Sequence, residues 1–311
     1  MTTTGSYFKY HFCSNWKRLL VITFFGILFI TLICNQTLTN AEYAEKMTKY
    51  PTWKITETNT DFMYVFICLI STVMPILELH AFNNKKNCDT LFSMPISRRN
   101  MLSVHMVNGF VQIFISYTIT FLWWIIFYVC NDGVALNTAY IPLFYLLLFT
   151  ASFVIYTFYA AVFSVANTTL DGIVFMYLWS TFPALIYAFI QDMLGKDSEW
   201  FALESIKFVI PSGIVSQFIS FIKNALTFDI EYDLKFGGYV LKSQSLEYSW
   251  DWVMWTMFYA IIFVASIVVL YRFFERKKNF TGRRSVGILA WIQTSGPCIH
   301  TDRLYGGGKR S

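Results

Sequence analysis

The chain has 311 residues, of which 56% are hydrophobic, 20% aromatic and only 14% charged. Soluble domains carry about 25% charged residues, and a soluble fold of this length could not cover so much apolar surface; disorder is excluded because apolar residues are abundant. The formal charge of +5 is spread over short connections and the chain's end. No block of like charge suits a nucleic-acid arm, so the expected environment is a lipid bilayer.

Residues 1–18 are polar and aromatic. Phe8, Phe12, Trp16 and Leu19 recur there at helical spacing, which predicts a helix lying in the cytoplasmic interface. A cleavable signal is not expected, because polar residues fill the start and the following apolar run is too long. Each membrane crossing needs about 20 apolar residues. Six runs are candidates: Leu19–Cys34, which is the shortest, Phe62–Phe82, Leu102–Cys130, Ile141–Ala166, Gly172–Gln191 and Trp252–Phe274. Unpaired backbone groups in lipid cost several kcal/mol each, so these spans must be helical. Pro75 interrupts the second and Pro183 the fifth, while Gly109 is the expected bend in the third. The predicted class is therefore all-α: a polytopic membrane protein with an interfacial helix over 1–18, a six-helix transmembrane domain over 19–274 and a basic tail over 275–311.

Orientation follows from the distribution of Lys and Arg. With the N-terminus inside, 16 of the 24 Lys and Arg fall on cytoplasmic segments, counting Arg272 at the boundary of the last span. The opposite orientation would put the basic tail outside. The expectation is N-in and C-in, in a bacterial plasma membrane. The external side then carries the long acidic segment 192–251. Within it Ile214–Leu226 is amphipathic and is expected to dip into the outer leaflet.

Chemistry is sparse. Glu78 and His80 form the one close ionisable pair, near the cytoplasmic end of the second span. Ionisable groups inside a membrane are functional candidates by default, but a boundary pair of this kind is usually structural. No acidic residue falls at the middle of a span, which argues against an ion-coupled carrier. The four histidines, His11, His80, His105 and His300, are scattered over different segments. The six cysteines show no CxxC or Cys–His metal spacing. Neither GxSxG nor HExxH occurs, and Gly308-Lys309-Arg310-Ser311 lacks phosphate-loop spacing. No catalytic, cofactor or metal site is expected, and the chain is not read as an enzyme.

The most informative stretch joins the second and third spans. Residues 83–101 place apolar Leu91, Phe92 and Met94 in a short helical segment stopped by Pro95 and flanked by Lys85-Lys86 and Arg98-Arg99. Ser97 suits the cap of the next helix. Apolar residues on a connecting loop point to a docking partner. The run Asp89-Thr90-Leu91-Phe92-Ser93-Met94-Pro95-Ile96-Ser97-Arg98 resembles the cytoplasmic loop of type-2 ABC exporter permeases. In that family an acidic residue precedes a Leu-rich turn and then Ser-x-Pro-Ile/Leu-Ser/Thr-Arg. The layout is also similar: an N-terminal interfacial helix, six spans, a large external segment before the last and a basic tail. The likeness is to the N-terminal part of long Firmicute-type permeases, with Asn279 where an acid is common after the last span.

That resemblance implies a division of labour. A separate ABC ATPase subunit would bind and hydrolyse ATP. Two permease chains would form the translocation path. Asp89, Leu91, Phe92, Met94, Pro95 and Arg98 would couple to the ATPase. The alternative is a six-span membrane sensor or assembly protein without transport activity.

Overall fold

The structure is a computed structural model. It describes residues 4–39, 60–83, 96–131, 134, 137–193, 209, 212–226, 228–233, 238–243, 246 and 250–276. Seven α-helices, one 3-10 turn (Thr138–Tyr140) and one strand pair are described: α1 (Thr4–Leu38), α2 (Asp61–Asn83), α3 (Arg98–Val129), α4 (Ile141–Val165), α5 (Thr169–Met193), α6 (Ser212–Leu226), β1 (Phe228–Asp233), β2 (Gly238–Ser243) and α7 (Trp250–Arg276). All but α6 are long and apolar enough to cross a membrane, which makes six candidate spans. The chain is a multi-pass membrane protein. Its spans coincide with the apolar runs of the sequence to within a few residues, except at the first.

There the helix does not break at residue 18. α1 runs unbroken for 35 residues, about 52 Å at 1.5 Å per residue, which is longer than a hydrocarbon core of about 30 Å. Two features account for the continuity. No proline lies between Thr4 and Leu38. The charge that seemed to end the span, Arg18, finds a partner on a neighbouring helix and need not leave the bundle.

α4 is the centre of the bundle. Of its most apolar window 72% is buried, against 11% for α5 and 17% for α7. Phe144, Leu148, Ala151, Ile155, Ala160 and Phe163 are inaccessible, and α2, α5, α6 and α7 all pack around them. The outward faces of α5 and α7 carry Tyr177, Leu185, Phe189, Met257 and Ile261, all exposed, as lipid contact requires. α1 and α2 leave between them an apolar groove of about 380 Å³ lined by Phe25, Phe29, Phe66 and Ile70.

α1 lies mainly along α3, and the pairing runs parallel. Thr23 Oγ1 donates to Ser116 Oγ at 3.1 Å, and Trp123 Nε1 donates to Thr31 Oγ1 at 2.9 Å, so both residue numbers rise together. Gly26 allows the approach: a Cβ there would stand 2.8 Å from the Phe66 ring and 2.9 Å from Thr120 Oγ1. Small residues at such crossings are how membrane helices pack closely without a hydrophobic driving force. α3 begins as its sequence predicts. Ser97 is extended (φ −63°, ψ 145°) and its side chain accepts from the backbone N–H of Asn100. The helix continues through Gly109 to Val129.

The segment between α5 and α7 departs from the all-α expectation. α6 buries Ile214, Val215, Phe218, Ile222 and Leu226 against α4, α2 and α7. Phe221 stacks on Trp252 with centroids 4.4 Å apart. The amphipathic face is thus spent on the bundle. β1 and β2 then pair antiparallel, with Phe228 opposite Ser243 and Asp233 opposite Gly238. The reason is a period of two: Phe228-Asp229-Ile230-Glu231-Tyr232-Asp233 alternates apolar and acidic residues, the pattern of a strand rather than a helix.

Candidate functional site

α3 carries a polar stripe along an otherwise apolar span. His105, Asn108, Gln112, Ser116 and Thr120 recur three or four residues apart, so they share one face. All five are buried. The stripe is about 22 Å long. Opposite it α1 presents Tyr7, His11, Arg18 and Thr23. Where α2 closes beside them, Glu78 completes a cluster built from three helices.

Glu78 is the centre. Its side chain has no exposed surface. Oε1 is bound by the Arg18 guanidinium through Nη2, and it also accepts from Asn108 Nδ2 at 3.0 Å and Gln112 Nε2 at 3.4 Å. Arg18 Nε donates to Gln112 Oε1 at 3.1 Å, and Nη1 reaches the Leu77 carbonyl at 3.4 Å. The Arg18 fork therefore spans α2 and α3 at once. This is a geometry that a planar guanidinium supplies and an ammonium does not. A buried charge is tolerated only when paired and hydrogen-bonded, and Glu78 is both.

The other oxygen is different. Glu78 Oε2 faces His105 Nδ1 at 3.4 Å and His11 Nδ1 at 3.8 Å. Neither Oε2 nor His105 Nδ1 has a hydrogen-bond partner among the described residues. His105 is held from behind, with Nε2 at 3.1 Å from the Tyr7 hydroxyl. His11 Nδ1 lies 3.0 Å from Asn108 Nδ2 and 3.1 Å from Asn15 Nδ2. The two imidazoles meet edge to face at 4.2 Å. His105 is almost wholly enclosed, whereas the side chains of His11 and Arg18 keep 18% and 20% of their surface. The cluster thus has a closed floor and a rim. A Cβ on Gly109 would lie 3.0 Å from Glu78 Cγ and 2.9 Å from Tyr156 Cζ, so the glycine lets α4 approach the same spot. Tyr156 there donates to the Met106 carbonyl at 3.2 Å.

The structure separates the pair that the sequence suggested. Glu78 points into the bundle, while His80, two residues on and hence on another side of α2, is exposed and contacts only the Leu77 carbonyl of its own helix among the described residues. The histidines do lie on different segments, but two of them meet in space. His11 and His105 are 94 residues apart in the chain and adjacent in space, because each is the eighth residue of its helix and parallel packing of α1 on α3 brings both to the end of α2. Among the loop residues, Arg98 is the first residue of α3 and is half-buried. Asp89, Leu91, Phe92, Met94 and Pro95 lie outside the described residues. Arg18, His11, His105, Asn108 and Gln112 were not singled out from sequence as a site. The signal that marks them is the polar stripe on α3, since buried polar residues at helical spacing in a membrane span demand partners.

No protein-family description, no curated protein and no solved structure matches this chain.

Proposed function

We propose that the chain is the membrane-spanning subunit of an ATP-driven exporter, coupled through its 83–101 loop to a separate ABC ATPase subunit and acting with a second permease chain. In this reading the loop end of α2 and α3 is cytoplasmic, and residues 192–251 are external. The observation that carries the reading is the loop sequence itself, Asp89 to Arg98, set between two of the six candidate spans. The buried cluster supports it mechanically. Glu78 lies five residues before the end of α2, and Gln112 fourteen residues after the start of α3, so Arg18 ties both flanks of the loop to α1. Displacement of the loop by ATPase closure is then passed to three helices together. Such a shift needs contacts that differ between the two states of the ATPase, and a rigid base under the loop is what transmits the difference. Apolar faces on α5, α7 and the α1–α2 groove offer area for the second chain and for lipid.

The test is site-directed cross-linking in native membranes. A photoreactive group at Phe92 should capture a protein that carries nucleotide-binding motifs and hydrolyses ATP. One at Asn40 should not. Efficient capture of lipid alone at position 92, with no ATPase, would reject the coupling and favour a sensor or assembly role.

A further inference from the structure

The cluster has the donor set of a metal site, and two of its fully buried ligating atoms, Glu78 Oε2 and His105 Nδ1, are without a hydrogen-bond partner among the described residues. We propose that His11 Nδ1, His105 Nδ1 and Glu78 Oε2 hold one divalent transition-metal ion of the zinc class. The three ligand atoms lie within 4.8 Å of one another. Zinc binds imidazole nitrogen and carboxylate oxygen at about 2.0–2.1 Å, which in tetrahedral geometry sets ligand atoms roughly 3.3 Å apart. Glu78 Oε2 and His105 Nδ1 are already at 3.4 Å, and His11 Nδ1 is 3.8 Å from the same oxygen. Those two edges are close to that spacing; the third, between the two imidazoles, lies within 4.8 Å, so the rings must draw together to complete three corners.

The surroundings match what metal ligands require at His105 and Glu78, while at His11 Nδ1 the ion must displace the amide donors of Asn108 and Asn15, 3.0 and 3.1 Å away. A ligating histidine is oriented by a hydrogen bond at its other nitrogen, and a ligating carboxylate by hydrogen bonds at its other oxygen. His105 has the first in Tyr7, at 3.1 Å from Nε2. With the Nε2 proton donated to that hydroxyl oxygen, Nδ1 is left as a lone pair toward the centre. Glu78 has the second in Arg18, Asn108 and Gln112, all on Oε1. Charge is the opposing consideration, because Arg18 already neutralises Glu78 and an ion adds to the positive side. The partly exposed rim of His11 and Arg18 answers it. It supplies an entry path and leaves the fourth position to water, hydroxide or a small anion beside the guanidinium. The rival occupant is a proton on His105 Nδ1 donated to Glu78 Oε2, which would leave no lone pair for a metal. This inference does not depend on the exporter reading, since the metal can be measured on the chain without an ATPase.

The full chain, purified in detergent and stripped with a chelator, is titrated with Co²⁺ and then Zn²⁺. One Co²⁺ per chain is expected, with the intense visible absorption of four-coordinate cobalt, displaced by Zn²⁺. X-ray absorption of the zinc form should show only N and O neighbours, with scattering from two imidazoles. His11→Gln and His105→Gln should each weaken binding by more than about tenfold, and Tyr7→Phe by about tenfold with the ligand set retained. His80→Gln should change nothing. If the histidine variants fail to fold, the wild-type spectrum alone decides. Absence of stoichiometric cobalt uptake overturns the site, as does zinc bound through sulfur or without imidazole. Unchanged affinity in both folded histidine variants does so too.

Discussion

Removing Arg18 should destabilise this protein more than neutralising Glu78, although the two form one ion pair. Arg18→Gln leaves the Glu78 carboxylate with no exposed surface and only amide donors, at 3.0 and 3.4 Å. Breaking a buried pair by deleting one partner costs about 3–5 kcal/mol, because the other charge stays buried. Two amides still serve Oε1, which places the expected loss near the lower end, about 3 kcal/mol. Glu78→Gln strands the guanidinium instead. That side chain keeps 20% of its surface, retains Gln112 and the Leu77 carbonyl, and can turn its head toward water along an apolar stem. The expected loss there is about 1.5–2 kcal/mol, the low end of the range of a hydrogen bond to a charged group. The double variant Arg18→Gln/Glu78→Gln leaves no orphan charge, so its loss should fall at least about 1 kcal/mol below the sum, a coupling typical of residues in contact. Reversible SDS titration of the purified, chelator-treated chain, followed by tryptophan fluorescence, measures all three. Equal single losses, or a double variant equal to the sum, would refute the claim that burial of Glu78 sets the energetics.

Gly109→Ala should cost about 1–3 kcal/mol through overpacking, since its methyl meets Tyr156 and Glu78; combining it with Tyr156→Phe should recover part of the loss in the same titration. Leu91→Ala with Phe92→Ala should weaken co-purification of the ATPase by at least about 1 kcal/mol, the threshold that marks an interface anchor, with membrane insertion unchanged. Arg98→Ala should instead loosen the first turn of α3, read as faster amide exchange at residues 98–102 with the ATPase still bound. In a background lacking the six native cysteines, single cysteines at Asn40 and Ser243 should label from outside intact cells and those at Asn84 and Ser285 should not; labelling at position 84 would overturn the orientation.

Much of the fold is legible in the chain because lipid allows few solutions. Backbone polar groups with no water must bond within their own helix, so an apolar run of sufficient length is already a span. Five of the six spans begin and end near where the hydropathy changes. Ser97 announces the start of α3 by side-chain chemistry alone, since its oxygen serves a free N–H of the first turn. Alternation in Phe228–Asp233 announces a strand by the same local logic, and it is readable once period two is sought as well as helical period. The division at residue 18 misled because a positive charge in the sequence reads as an edge of the membrane. It is an edge only if the charge has no partner within the bundle. That partner, Glu78, lies 60 residues away on a helix running the other way. The candidate site is of this second kind throughout. An intramembrane histidine or glutamate states that a partner is needed, but helical spacing specifies only the face on which it will be met. Which faces meet depends on close approaches such as Gly26 against Phe66 and Gly109 against Tyr156, and these are set by the packing of whole helices. The convergence of His11, Glu78 and His105 therefore belongs to the tertiary structure: each residue is placed by its own helix, and the distance between them only by how three helices pack.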